Sequence, residues 1–392
     1  VNTRSTESLT SPFRDAVRVR VLIVVDYFLP SIGGVQTRVV PMIRELQRDG
    51  HACLVMTADL RRGEAPAVSD DRGLDVARFG LVEALAAGDV TGVARVLGQA
   101  RRAISAFGPD VVHAFVSGPG VLPCLDSASA AVPLVASFTI WPTHAHAGPA
   151  TLLGRVLSHA SWVTANSQLL LRRLHELDPG THARSSVLVS GNPPPGAAPT
   201  RLPLAPAVLL CLGRVVEEKG FDVAVRALAR IPVPVRLIIA GDGPARTSLA
   251  RLARELGVAD RVEFTSWVDP DDVAALINRS TLVVVPSRWQ EAFASVAIQA
   301  AQLGRPVLAS RVGGMSEALL DGETGILFAS EDDNALAAAI TGLLDEPHTL
   351  ERFGRSAHSH AQRAFSFDRY VADVESIYRR VSATAIAGGP AR

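Results

Sequence analysis

Lysine is almost missing from these 392 residues: Lys219 is the single one, and the other 38 of the 39 basic side chains are arginine. Arginine is a planar five-donor fork, whereas lysine is a compact point charge on a flexible stem. A lysine kept against such a bias marks a place that needs a point charge, and a diphosphate in a tight pocket is one such place. The plain alternative is a leftover surface lysine. Cysteine is scarce too: Cys53, Cys124 and Cys211 lie far apart in apolar surroundings, which excludes a disulfide framework and a metal-ligand spacing. No apolar run reaches the roughly 18 residues of a membrane span, and no signal-peptide pattern precedes the first strand. A soluble, cytoplasmic protein is expected. Neither sign of charge is in excess, with 39 acids against 39 bases. That balance argues against nucleic acid as the main partner, because phosphate backbones demand a basic surface. Arg172-Arg173, the basic doublet read on a first-half helix, is too little charge to anchor the chain to a membrane.

What is present in quantity is short apolar runs. They fall at 19–26, 52–58, 74–79, 110–115, 133–139, 162–167 and 185–190, and again at 208–213, 235–241, 261–267, 281–286, 306–310 and 325–328. Runs that are apolar throughout, rather than alternating, suit strands buried on both faces of a parallel sheet. Helical stretches such as 35–48 and 223–230 supply the crossovers. A chain this long exceeds one ordinary core, and the Pro-rich stretch around Pro193-Pro194-Pro195 is a natural linker. The expected organisation is a disordered arm at 1–16, one domain at 17–192, a linker at 193–203 and a second domain at 204–366, with a final helix at 367–385. The fold class is α/β, with two doubly wound, Rossmann-like domains facing across a cleft.

Ligands of such sheets bind beyond the carboxyl ends of the strands, and the motifs sit there. The first strand is followed by a loop ending in Gly33-Gly34 at a helix start, where backbone can approach an anion or simply turn. The run at 208–213 leads into Gly213-Arg214 and then Lys219-Gly220. Gly241-Asp242-Gly243-Pro244 has Arg246 where a dinucleotide fingerprint has its third glycine, so a structural turn ahead of a helix from Pro244 is the better reading. After Pro286 a loop carries Glu291 to a helix that starts near Ala294. The first N–H groups there, around Phe293, Ala294 and Ser295, can hold a phosphate, and Gln299 follows one turn on. Asp269-Pro270-Asp271 fits a helix start better than a metal site.

Taken together, Gly33-Gly34, Gly213-Arg214, Lys219-Gly220, Gly241 to Pro244, the Glu291 segment, Gly313-Gly314 with Glu317, and Asp321 to Gly325 resemble the family 4 retaining glycosyltransferases of GT-B fold. The likeness spans 19–381. It implies an N-terminal acceptor domain, a C-terminal nucleotide-sugar domain and a last helix that crosses back, which the apolar period of Phe367, Tyr370, Val371, Val374, Ile377, Tyr378 and Val381 fits. It implies transfer of a sugar from a nucleoside-diphosphate sugar to a small soluble acceptor, with no metal and no cofactor. Arg214 and Lys219 would bind the diphosphate, Glu291 the donor sugar hydroxyls, and position 299 the ribose.

Two departures stand out. The family has Glu where this chain has Gln299, and it usually has His where this chain has Thr139. Nearby His144 and His146 are candidates for the missing ring, His144 being one for the acceptor site as well. His113, in the strand 110–115, reads equally as an acceptor-site residue or a satisfied core histidine. The departures keep open a relative that couples unusual cyclic units, or one that binds ligands without turnover. A sugar-nucleotide epimerase of the same fold fits the Arg214, Lys219 and Glu291 set less well.

Overall fold

The computed structural model describes residues 18–31, 33–58, 68–70, 73–125, 132–142, 148 and 150–388. The arm expected at 1–16, His144 and His146 lie outside the described residues. The first half contributes strands β1 (Arg20–Val25), β2 (Ala52–Thr57), β3 (Val68–Asp70), β4 (Asp75–Arg78), β5 (Val111–Val116), β6 (Leu134–Phe138), β7 (Trp162–Ala165) and β8 (Ser185–Val187). The second contributes β9 (Ala207–Leu212), β10 (Val235–Ala240), β11 (Val262–Thr265), β12 (Leu282–Val285), β13 (Val307–Ser310) and β14 (Gly325–Phe328). Two doubly wound α/β domains are therefore what the chain forms, as its apolar runs imply.

The first sheet has the order β3-β4-β2-β1-β5-β6-β7-β8 and the second β11-β10-β9-β12-β13-β14. Every pairing is parallel except that of β3 with β4. β3 is also the one strand that the apolar pattern does not reveal. It is a three-residue Val-Ser-Asp edge, and its pairing comes from the neighbouring strand rather than from its own hydrophobicity.

Unpatterned strands are explained by burial on both faces. On β1, Val21, Ile23 and Val25 join one apolar cluster while Leu22 and Val24 join another. The first of those clusters also holds Phe367, Tyr370, Val371, Val374, Ile377, Tyr378 and Val381. The final helix, Phe367–Gly388, thus packs on the first sheet although it follows the second in sequence. Its apolar stripe has no other surface to cover.

Strand order reverses between β1 and β5 in the first sheet and between β9 and β12 in the second. Crevices open at such switch points, outside the carboxyl ends of the strands. The loops that leave β1, β9 and β12 are those carrying Gly33-Gly34, Lys219 and Glu291. Topology thus brings the Lys219 and Glu291 segments together and sets Gly33-Gly34 at the equivalent place of the first sheet.

Candidate functional site

The loop after β9 is held by glycines that no other residue could replace. Gly241 and Gly243 have φ of +129° and +155°, and a Cβ on them would lie 2.0 Å from the Gly213 carbonyl oxygen and 2.3 Å from that of Val215. The close approach lets Val215 N donate to Asp242 O at 2.8 Å and Ala245 N to Val215 O at 3.0 Å. Gly241-Asp242-Gly243-Pro244 is therefore a clamp on the 213–215 loop. Its helix begins at Arg246, two residues later than the sequence suggests, because Pro244 and Ala245 are spent on the turn.

Lys219 ends a short turn, Glu217–Lys219, and the next residue, Gly220, is left-handed at φ +63°. A Cβ on Gly220 would stand 2.0 Å from the carbonyl oxygen of Pro286, so the loops after β9 and β12 meet there backbone to backbone. Arg288 fastens them. Its amide donates to Glu218 O at 2.9 Å, and its guanidinium grips both Asp222 oxygens at 2.7 and 2.6 Å. Burial pushes the Asp222 carboxyl up, but the bonds and charges of Arg288 and Arg226 hold it below the usual carboxylate range.

Held this way, Lys219 Nζ donates to Glu291 Oε1 at 2.5 Å, and Ser287 Oγ donates to the same oxygen at 2.8 Å. Among the described residues nothing donates to the second Glu291 oxygen. Arg214 lies exposed on the loop that ends at Lys219. Among the described residues no carboxylate pairs with it, so its charge is available to a ligand.

The helix Ser295–Gln302 begins beside this pair, and Ala294 at its N-cap supplies no side-chain acceptor. Its first N–H groups are thus free for an anion. Across the interface a Cβ on Gly34 would lie 3.5 Å from Ser295 Oγ, so the glycine loop of the first lobe faces that helix start. Phe293 packs edge-on against Phe365 with ring centroids 5.5 Å apart, which leaves its backbone, not its ring, for ligand contact. Gln299 is half-buried one turn on, and its amide makes no hydrogen bond among the described residues. Asp269 caps the helix Pro270–Asn278, accepting from Asp271 N.

In the first lobe the structure decides against an acceptor role for His113. The ring sits in mid-strand on β5, wholly buried. Its Nδ1 is 2.7 Å from the Tyr378 hydroxyl and its Nε2 2.7 Å from Ser137 Oγ. Burial drives its pKa down to about 3, so it is a neutral core histidine with both nitrogens engaged. Thr139 follows β6 and lines a cleft together with Arg38, Asn166, Ser190 and Tyr370 and the apolar Phe115, Phe138 and Leu188.

Sequence reasoning missed the contacts that join the lobes. Glu317 accepts from Gln168 N at 2.6 Å and Leu169 N at 2.7 Å. Asn192 Nδ2 donates to Ser295 O at 3.2 Å, and Gln302 Nε2 to Asn192 O at 3.1 Å. Ser287 and Arg38 went unremarked as well. A signal existed for Arg38, because it falls on the apolar stripe of its helix with Val35, Val39, Met42 and Leu46.

Comparison with known proteins agrees with the fold. Residues 32–191 match the family described as Glycosyltransferase Family 4, and residues 197–360 match that described as Glycosyl transferases group 1. The chain is 42% identical over 191 residues to D-inositol 3-phosphate glycosyltransferase 2 of Catenulispora acidiphila, a stretch that is 46% of this chain and 44% of that one. It is 34% identical over 176 residues to a glycogen synthase of Mycobacterium tuberculosis, covering 44% and 42%. The matches thus span less than half the length of these curated relatives. Among solved structures, sucrose-phosphate synthase from Thermosynechococcus elongatus superposes with a TM-score of 0.78 at 20% identity over 94% of this chain and all of that one. Anabaena Alr3699/HepE in complex with UDP and glucose gives 0.75 at 19% identity over 93% of this chain and all of that one. At such identities the likeness is one of fold.

Proposed function

We propose that this chain, which belongs to the family 4 glycosyltransferases of GT-B fold, moves a sugar from a nucleoside-diphosphate sugar to a small acceptor with retention of anomeric configuration. The observation that carries the reading is the Lys219–Glu291 pair, held 2.5 Å apart by two interlocked loops at the carboxyl ends of β9 and β12. Departure of a nucleoside diphosphate develops negative charge, and fixed cations in a water-poor site stabilise it. Half-buried Lys219, exposed Arg214 and the N–H groups that begin the helix Ser295–Gln302 supply positive charge and donors for it. Glu291 has an oxygen free to accept from a sugar hydroxyl. When the diphosphate draws Lys219 to itself, Ser287 still holds Glu291 in place. Retention of configuration is what the resemblance to that family implies.

The test is direct. Uridine, guanosine and adenosine diphosphates are each titrated while the melting temperature is followed, since a ligand that binds only the folded state raises it by mass action. Release of sugar from the matching nucleotide sugars is then measured. One nucleotide is expected to stabilise, and its sugar conjugates to turn over. No stabilisation by any of the three, together with no turnover, would overturn the reading.

A further inference from the structure

Arg38 is 3% exposed, and among the described residues no carboxylate pairs with it. A buried guanidinium is tolerated when acceptors surround it, and Arg305 shows that case in this chain. Arg305 donates to Thr200 O, Leu303 O, Asn278 O, Thr200 Oγ1 and Asn278 Oδ1. Arg38 has far less: Nη1 donates to Ser190 Oγ at 2.6 Å, and the neighbouring Tyr370 hydroxyl donates to Met42 Sδ. Burial pushes the Tyr370 hydroxyl above its ordinary pKa, so it remains neutral and is no counter-ion. An uncompensated buried charge is costly, and this one lines a cleft rather than packed apolar surface.

The cleft lies open at the carboxyl ends of β5 to β8, where Thr139, Thr164 and Asn166 join Arg38, Ser190 and Tyr370, and Phe115, Phe138 and Leu188 supply an apolar part of the wall. Asn166 is 4% exposed, and its Oδ1 has no hydrogen-bond partner among the described residues. Buried polar atoms are rarely left so. The wall therefore offers one buried cation without an anion and one buried acceptor without a donor. Charge-assisted bonds from a guanidinium to phosphate or carboxylate are among the strongest available. A sugar-like hydroxyl is the natural donor for an amide oxygen.

We propose that this cleft is the acceptor's anchoring subsite, in which an oxyanion of a polyhydroxylated acceptor seats on Arg38 while one of its hydroxyls donates to Asn166 Oδ1. The assignment of the ligand as acceptor rests on the transferase reading above. The anion site itself does not.

The two are separated by one set of measurements. The melting temperature of the full chain is followed with inorganic phosphate, with acetate and with chloride at equal ionic strength. The wild type is expected to rise by several degrees with phosphate or acetate beyond chloride, and the stronger of the two names the oxyanion. Lys219→Ala, which weakens the diphosphate site, should keep this rise; Arg38→Gln should lose it, and Arg38→Lys should keep part of it. A wild type that responds equally to all three salts, or an Arg38→Gln that responds like the wild type, overturns the subsite. The wild-type salt series decides even where Arg38→Gln fails to fold. In parallel, nucleotide-sugar turnover is measured with a polyol phosphate or carboxylate and with its uncharged parent. The charged acceptor should have a KM at least tenfold lower, a margin that Arg38→Lys narrows. Turnover with no preference for charge overturns the subsite alone. An Arg38-dependent salt response with neither nucleotide stabilisation nor turnover of any donor supports the anion site and overturns the transferase reading.

Discussion

Glu317 of the second lobe caps the helix that begins at Gln168 in the first. One carboxylate oxygen takes the Gln168 amide at 2.6 Å and the other the Leu169 amide at 2.7 Å. Gly314 permits the approach, since a Cβ there would already stand 3.1 Å from Ser167 Cβ. A carboxylate at a helix N-terminus is favourable both as hydrogen-bond acceptor and against the helix dipole. The helix has its own N-cap in Ser167, whose Oγ accepts from Leu170 N; Glu317 is a second cap from the other domain, so its energy acts on closure.

Glu317→Ala is expected to loosen the closed arrangement by about 0.5–2 kcal/mol, the usual worth of a cap. Small-angle scattering without ligand should show a larger radius of gyration for the variant than for the wild type. An unchanged radius, with the variant folded, would remove Glu317 from any account of closure.

Replacing Lys219 with Ala is expected to cost about 2–4 kcal/mol of transition-state stabilisation, the range for one preorganised electrostatic group. In kcat/KM that is roughly 30- to 1,000-fold. Lys219→Arg should also be impaired, because a fork cannot take the place of a point charge in so close a contact. Chelator should leave the wild-type rate unchanged. A normal rate for Lys219→Ala would dismiss the diphosphate role, and loss on chelation with recovery on adding magnesium would call for a metal.

His113 makes acid stability testable. Its folded pKa, about 3, lies below the ordinary value of 6.5. The unfolded chain therefore binds a proton that the native state refuses. Its contribution is fully present above the unfolded pKa and is lost as pH falls through the window from about 6.5 toward 3, at up to about 1.4 kcal/mol per pH unit. Imidazole resonances should show His113 neutral at pH 5 in the native protein. Protonation of His113 near pH 6.5 in the folded state would contradict its place in the core.

Two glycines of positive φ should respond differently to alanine. Gly241→Ala would bring a Cβ to 2.0 Å of a carbonyl oxygen, whereas a Cβ on Gly257, at φ +69°, meets nothing within 4 Å. Gly257→Ala should cost about 1–2 kcal/mol, the left-handed penalty alone. Gly241→Ala must displace backbone as well, so its loss in denaturant unfolding should be clearly larger. Equal losses would mean that the clamp on the Lys219 loop yields easily.

The sequence by itself determined the strands other than β3, because apolar runs without alternation have only a doubly covered parallel sheet to enter. It determined the last helix too, whose stripe from Phe367 to Val381 needs a surface to bury it. It also pointed to Lys219 and Glu291, since loops beyond strand ends are where such sheets hold ligands. Tertiary structure decided what depends on partners distant in the chain. His113 looked open to a cleft until Tyr378, 265 residues away, and Ser137 closed on its ring. Arg38 looked like one more arginine until it proved to be buried with no carboxylate beside it among the described residues. Glu317 became a cap only when the lobes met. Hydrophobic periodicity is a local property and survives in one dimension, whereas the pairing of a charge or a ring nitrogen is set by contacts that exist only after the chain has folded.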